Sequence, residues 1–385
     1  MSFSRNLSDF SATVNSAKWH PSNHPSIKEN GDMKILALNS SPRTGGESLT
    51  ELMLGHLTAG MTAAGAKVEI VNLREKTIKN CIGCFTCWTK TPGKCLHKDD
   101  MSAELFPKWL ASDLVVYASP LYIHKMNAAM SAFIERTLPV VLPFFEHDGE
   151  KTLHPLRQKV PAAVWLSVCG FPEPFEFDAF SDFIRRTGHK DTPLVAEIYR
   201  PAASFMTHFE DLRNDILEAT HTAGQELVRS RKISPKTMAR ITQPLTDAKT
   251  FATLGNIFWK TCIAEKVTPR EFGEKKMVPR PDSVESFMLL LSMSLNAKAA
   301  GDQTVILQFI FPDGPGMACY FEIKNGNVTA RKAKPDRPDI TIETPFELWL
   351  DIMTGKADGM QMFLAQKYRV SGDLELMQAL FKRPD

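Results

Sequence analysis

The sequence predicts an α/β fold for its first part, a five-stranded parallel sheet wound by helices on both faces, followed by a smaller α+β domain. Three observations predict it. Between residues 33 and 230, apolar strand-like runs alternate with helix-spaced segments five times, the rhythm of a parallel sheet covered on both sides. Beyond residue 283 that rhythm gives way to a leading helix and successive short strands, with Asn325-Gly326 as a hairpin signal. At 385 residues the chain also exceeds the usual size of one hydrophobic core.

Met33 to Leu38 reads as a buried first strand. Glu47 to Gly65 follows as a helix, with Leu49, Leu52, Met53, Leu57 and Met61 on one face. Lys67 to Leu73 is the second strand, Met101 to Ala111 a helix, and Asp113 to Ser119 the third strand. Ala128 to Val141 suits a helix, Val160 to Cys169 the fourth strand, Leu194 to Tyr199 the fifth, and His208 to Ser230 an amphipathic helix. The size and the loop after strand one suit the flavodoxin-like strand order 2-1-3-4-5. Residues 231–282, with Pro235, Pro244, Pro269, Pro279 and Pro281, read as a helical appendage and linker. Residues 283–385 carry a helix over Ser283–Ala299 and strands over Thr304–Phe311, Gly316–Lys324, Val328–Lys332 and Asp339–Thr344. Helical segments to about Gln366, a short strand Lys367–Ser371 and a helix from Asp373 complete an antiparallel α+β domain. Residues 1–32 are polar and read as an irregular N-terminal extension.

Composition narrows the function classes. Hydrophobic residues at 43% and charged residues at 23% are ordinary for a globular protein. A net charge of +2 argues against nucleic acid or an anionic membrane surface as the main partner. No apolar run approaches the roughly 20 residues that span a bilayer. The first residues lack a basic segment followed by an apolar one, so a signal peptide is not expected and the cytoplasm is the expected compartment. Of seven cysteines, four fall within fifteen positions. Clustering of that kind favours metal or redox chemistry over a disulfide framework.

Three loops after strands carry candidate chemistry. Asn39 to Ser48 joins the first strand to the first helix, where ligands of open α/β sheets sit. Its Ser41, Thr44 and Ser48 hydroxyls, the amides of Gly45 and Gly46, and the charge of Arg43 suit a phosphate. The spacing matches neither a Gly-x-Gly-x-x-Gly fingerprint nor a Gly-Lys-Ser/Thr loop. Pro120, Leu121, Tyr122, Ile123 and His124 follow the third strand, and Tyr122 offers an aromatic face. Gly170 follows the fourth strand and permits close backbone approach, while Cys169 reads as a small buried residue. Before the third strand, Cys81, Cys84, Cys87 and Cys95 form C-x2-C-x2-C-x7-C. Three such thiolates can bind corners of one iron–sulfur cluster, with Cys95 as the fourth. Zinc, or free or redox thiols, are the other readings of these four residues.

The Asn39–Ser48 loop resembles the N-S/G-S-P-R loop of the NADPH-dependent FMN reductase and iron–sulfur flavoprotein families, with Ser41, Arg43 and Ser48 on matching positions. Ser40 and Glu47 depart from it, where Gly and Asn are usual. Pro120-Leu121-Tyr122 resembles the P-x-Y loop that wraps the flavin in these families. The cysteine spacing falls within the compact motif that holds a [4Fe–4S] cluster in iron–sulfur flavoproteins. The resemblance covers about residues 33–260 and implies FMN at the phosphate loop. Residues 283–385 resemble the sterol carrier protein type 2 domain, through Asn325-Gly326, Gly355 to Phe363 and Lys367 to Leu374. That resemblance implies a fatty acyl or sterol-like ligand, with Met288, Leu289, Met293, Met362, Phe363 and Leu380 as lining residues.

The resulting expectation is an FMN-dependent oxidoreductase with a [4Fe–4S] cluster, fed by a ferredoxin-like donor, that passes electrons to a small or hydrophobic acceptor. One alternative is an NAD(P)H-dependent FMN or quinone reductase without a cluster. Another is a lipid-binding carrier with a non-catalytic flavodoxin-like module. The resemblance also implies a homo-oligomer.

Overall fold

The computed structural model describes residues 33–147, 149, 151–188, 192–313 and 317–382. The expected N-terminal extension over 1–32 lies outside the described residues. The chain divides into two compact units, one up to Leu245 and one from Thr246.

The first unit is a parallel sheet between helices. In chain order it comprises β1 (Lys34–Asn39), α1 (Leu49–Ala63), β2 (Lys67–Asn72), α2 (Phe106–Leu110), β3 (Leu114–Tyr122), β4 (Lys125–Met126) and α3 (Ala128–Glu135). It continues with β5 (Glu146–His147), β6 (Thr152–Leu153), β7 (Ala162–Val168), α4 (Asp178–Thr187), β8 (Leu194–Arg200), α5 (Glu210–Ser230) and α6 (Pro235–Thr242). The main sheet runs β2-β1-β3-β7-β8 with every neighbour parallel, which is the expected order 2-1-3-4-5. In β1, the five residues from Ile35 to Asn39 are buried, as an inner strand covered on both faces requires.

Glycine sets how closely α1 and α5 pack. A Cβ on Gly60 would fall 1.8 Å from the His221 carbonyl oxygen, and one on Gly224 would fall 2.0 Å from that of Leu57. Two helices touching backbone to backbone leave no room for a methyl group.

Several local features depart from the sequence reading, among them the helix expected over Ala128–Val141, which ends at Glu135 before a 3-10 turn at Leu138–Val140. The helix expected over Met101–Ala111 opens with a π-helical turn, Met101–Leu105, before α2. Pro107 has no N–H to offer the carbonyl one turn back, so regular α-helix geometry is interrupted there. α4, between the fourth and fifth strands of the main sheet, was not anticipated. It buries Phe180 and Ile184, four positions apart on one face.

The second unit contains α7 (Ala248–Glu265), α8 (Pro269–Glu274), α9 (Val284–Ser294), β9 (Val305–Phe311), β10 (Met317–Lys324), β11 (Asn327–Arg331), β12 (Ile340–Glu343), α10 (Phe346–Met353), α11 (Gly359–Leu364), β13 (Arg369–Gly372) and α12 (Leu374–Phe381). Its sheet order is β11-β10-β9-β12-β13. The sheet is mixed, because β12 runs parallel to β9 while the other pairs are antiparallel. Residues 332–339 carry the chain from β11 to the far edge of β9, which reverses the expected direction at that one seam. Asn325 and Gly326 both take positive φ in the β10–β11 hairpin, as a type I′ turn requires. Phe287 of α9 meets Phe309, Phe311, Phe321 and Phe346 edge-on in the core of this unit.

Candidate functional site

The loops after β1, β3 and β7 leave one edge of the main sheet. The three strands are adjacent and parallel, so their carboxyl ends share an edge. Ligands of open α/β folds bind along such an edge.

The first loop is hung from its neighbours by short side chains. The Ser40 amide and hydroxyl both donate to the Ala118 carbonyl, at 2.9 and 3.1 Å. The Ser41 amide donates to Asn39 Oδ1 at 3.0 Å, and the Arg43 amide reaches Ser41 Oγ at 3.4 Å. Asn127 Nδ2 donates to the Ser40 carbonyl. Ser41 and Ser48 are buried, whereas Arg43, Thr44, Gly45 and Gly46 face solvent. Gly45 and Gly46 both adopt positive φ, and a Cβ on either would meet nothing within 4 Å. The turn is therefore an open cradle, shaped by backbone that only glycine adopts without strain. Ser48 ends it as the N-cap of α1 and accepts from the Glu51 amide at 3.0 Å. Glu51 lies in the first helical turn, and Arg74 pairs with it at 3.0 Å.

The loop after β3 is a two-residue hairpin. Leu121 pairs with Met126 and Tyr122 with Lys125, leaving Ile123 and His124 as the turn. Both take left-handed backbone, with φ of 49° and 55°. Type I′ turns need positive φ at both central residues and normally recruit Asn or Gly. A β-branched residue there is strained, and such strain concentrates at functional sites. The Ile123 side chain is 90% exposed, and Tyr122 is also exposed. His124 Nδ1 lies 3.2 Å from the Glu176 carbonyl and 3.3 Å from its carboxylate. The turn after β3 is thereby fastened to the segment that follows β7. Pro120 lies inside β3 and is buried. Gly170 is exposed, with open space where a Cβ would stand. Cys169 is buried, and burial pushes its thiol up to about 11, which suits a packing role over a redox one.

The cysteine loop is a long irregular excursion with clamped ends. Asp100 accepts from the Thr77 amide and donates its own amide back to the Thr77 carbonyl. Asp99 accepts from the amides of Lys79 and Ser102, and Arg136 grips it bidentately at 2.7 and 3.1 Å. Arg136 also donates to the Lys79 carbonyl and to Ser102 Oγ. Both side chains of this ion pair are buried. Burial alone would raise the Asp99 carboxyl, but the bonds from Arg136 and the two amides outweigh it and hold the group below its ordinary range.

Inside the clamp, Gly83, Gly93 and the non-glycine Phe85 all take positive φ. Cys81, Cys84, Cys87 and Cys95 line one pocket with Ile82, Phe85, Arg136 and Leu138. Burial raises the Cys87 thiol, and the charges of Cys95, Cys81 and Cys84 push the same way, so the four sulfurs act on one another. The thiol of exposed Cys84 is lowered by hydrogen bonding to Thr86. All four are free of disulfides. Among the described residues, no group of three or more His, Cys, Asp or Glu converges as a ready site for a metal ion.

Sequence reasoning missed Arg74, Asn127, Arg136 and Arg200. Arg200 is buried at the end of β8 and donates to the carbonyls of Ile241 and Gln243, which fixes α6 to the sheet. Burial lowers its guanidinium to about 10. These residues act through contacts distant in sequence, and a motif scan carries no signal for them.

Two stretches of the chain match family models. Residues 33–171 match NADPH-dependent FMN reductase, and residues 293–382 match the SCP-2 sterol transfer family. An iron–sulfur flavoprotein of Archaeoglobus fulgidus is 38% identical over 107 residues, covering 28% of this chain and 46% of that protein. One from Methanocaldococcus jannaschii is 30% identical over 132 residues, covering 34% of this chain and 61% of that protein. The chain thus spans about half the length of the curated relatives it matches. Among solved structures, an NAD(P)H:quinone oxidoreductase from Methanothermobacter marburgensis is similar with a TM-score of 0.40 and 16% identity, covering 51% of this chain and 97% of that one. Among the described residues no helix is long and apolar enough to cross a membrane.

Proposed function

We propose that this chain is an FMN-dependent oxidoreductase whose flavin lies along the carboxyl edge of the main sheet. The observation that carries the reading is the open Gly45–Gly46 cradle leading into the capped start of α1. The match of residues 33–171 to NADPH-dependent FMN reductase supports it. In this reading Ser41, Arg43, Thr44, Gly45, Gly46 and the start of α1 at Ser48 hold the phosphate. Tyr122 to His124 and Gly170 face the ring, with buried Pro120 and half-buried Leu121 leading into the turn. Bound FMN supplies a centre that takes electrons singly or in pairs. The chain's part is to grip the phosphate with backbone amides and to hold the ring against a pre-strained turn at Ile123 and His124.

The cysteine pocket is proposed to hold a [4Fe–4S] cluster through Cys81, Cys84, Cys87 and Cys95. The four free thiols on one pocket and the relatives called iron–sulfur flavoproteins support this. Such a cluster suits a one-electron donor of the ferredoxin type. A second reading, direct hydride donation by NAD(P)H without a cluster, is favoured by the name of the matching family model. The second unit is proposed to take a hydrophobic ligand, on the strength of its SCP-2 match. Met288, Met362 and Phe363 are only partly buried and suit contact with such a ligand, whereas Leu380 is fully buried in the core.

Anaerobic purification and an absorbance spectrum test the reading. Flavin bands are expected, with a broad shoulder and with iron and sulfide by analysis. Cys84→Ala should lose the iron and keep the FMN. Flavin bands without iron in the wild type favour the hydride reading, and a colourless protein that refuses added FMN sinks both.

A further inference from the structure

Resting on the FMN reading, we infer that Arg74 is the positioning residue that makes the loop after β1 receptive to a phosphate dianion. The start of α1 has an electrostatic problem. Glu47 precedes the Ser48 cap and Glu51 follows it by three residues. The Glu51 carboxylate lies in the first turn, where the helix dipole favours an anion, so it competes with a phosphate and repels it.

Arg74 addresses Glu51 directly. It lies in the short 3-10 turn Leu73–Glu75 that follows β2, the strand beside β1. Its Nη1 is 3.0 Å from Glu51 Oε2 and its Nη2 is 3.5 Å from Oε1. The same Nη1 donates to the Ser41 carbonyl at 3.3 Å. One guanidinium therefore binds the competing carboxylate and pins the loop at Ser41. Its side chain is only 17% exposed, whereas Arg43 in the loop itself faces solvent. A second chain of bonds starts at Glu75, whose carboxylate also lies 3.8 Å from Arg74 Nε. Glu75 accepts from Asn72 Nδ2, Asn72 Oδ1 accepts from Asn39 Nδ2, and Asn39 Oδ1 accepts from the Ser41 amide. The end of β2 thus braces the loop twice, and only the Arg74 brace carries charge to Glu51.

The test compares FMN with riboflavin, which lacks the phosphate. Binding of each to full-length apoprotein is followed by flavin fluorescence quenching. Arg74→Ala should weaken FMN on the order of tenfold, the loss of one charge acting in a partly screened site, and leave riboflavin affinity unchanged. Arg74→Lys should fall between, since it keeps the charge and loses the fork. Glu51→Gln placed in the Arg74→Ala background should recover most of the FMN affinity. Equal losses for both flavins would reduce Arg74 to a structural brace and overturn the inference, as would an FMN affinity that Arg74→Ala leaves intact. A wild-type protein that takes up neither flavin overturns the FMN reading itself, and this inference with it.

Discussion

The two loops of the first unit that bear candidate chemistry are held by different balances of contacts. The loop after β1 hangs on several short bonds, most of them neutral and made by serine and asparagine side chains and backbone amides, with Arg74 adding one charged donor to the Ser41 carbonyl. The cysteine loop is closed at its base by a buried ion pair, Arg136 with Asp99, and by the reciprocal bonds of Thr77 and Asp100. Length explains the difference. Nine residues separate the end of β1 from the start of α1, and strand geometry at one end and a helix cap at the other fix most of them. The cysteine loop belongs to no strand or helix; turn bonds such as Gly93 to Cys87 order its tip, and the strongest contacts gather at its neck. A short loop can be built from many weak bonds. A long one concentrates its stability, and so its vulnerability, in a few residues.

The ion pair should therefore be the costliest single point to break. Asp99→Ala leaves Arg136 buried without its counter-charge and is expected to cost about 3–5 kcal/mol. Hydrogen exchange across residues 77–100 should rise sharply, while peptides from β1 and β3 stay protected. Loss of protection throughout the sheet would mean that the clamp supports the whole unit and would blur the contrast. The pH dependence has a definite sign. The folded Asp99 carboxyl sits below its unfolded value, so its contribution is complete above about pH 4 and is lost as pH falls further. Protection of the cysteine loop should fade on acidification before that of the inner strands β1 and β3.

The same contrast governs what was legible in the sequence. The alternation of strands and helices behind the sheet order and the hairpin at Asn325-Gly326 are patterns along the chain, and each could be read from neighbouring residues. The four cysteines announced themselves by spacing. Arg136 did not, because it meets Asp99 across 37 positions and lies at the end of α3, where it reads as an ordinary surface cation. Arg74 reaches Glu51 across 23 positions and was silent for the same reason. The strained turn at Ile123 and His124 was illegible for another reason. Nothing in a Tyr-Ile-His run signals left-handed backbone, since tertiary pairing of β3 with β4 imposes it. The parallel seam of β12 with β9 likewise depends on a crossover that no local pattern encodes.

A smaller effect is expected at Asn127, which serves the loop after β1 from the far side. Its Oδ1 caps α3 by accepting from the Met130 amide, and its Nδ2 donates to the Ser40 carbonyl. Asn127→Asp separates the two duties. The cap survives, because a carboxylate accepts as well as an amide does. The bond to Ser40 is lost and an anionic oxygen faces a carbonyl, at an expected cost of about 1–3 kcal/mol. Hydrogen exchange should rise at residues 40–48 and stay unchanged in α3. Unchanged protection in both segments would show that the loop does not depend on its neutral bonds singly.

The smallest effect separates a capping role from a ligand role at Ser48. Its hydroxyl already accepts from the Glu51 amide, so its first duty is to end the loop and start α1. Ser48→Ala should cost about 1 kcal/mol, whereas Ser48→Gly should cost only a few tenths, because glycine tolerates the cap backbone and admits water to the amides. Exchange at the first-turn amides of α1 reads this directly. Affinity for FMN discriminates further. If Ser48 only caps, binding follows helix stability, and Ser48→Gly stays close to wild type. If its hydroxyl also meets the phosphate, both variants lose affinity alike, whatever the helix does. Glycine that binds as well as serine would place the grip on the phosphate in the main-chain amides of the cradle and the helix start.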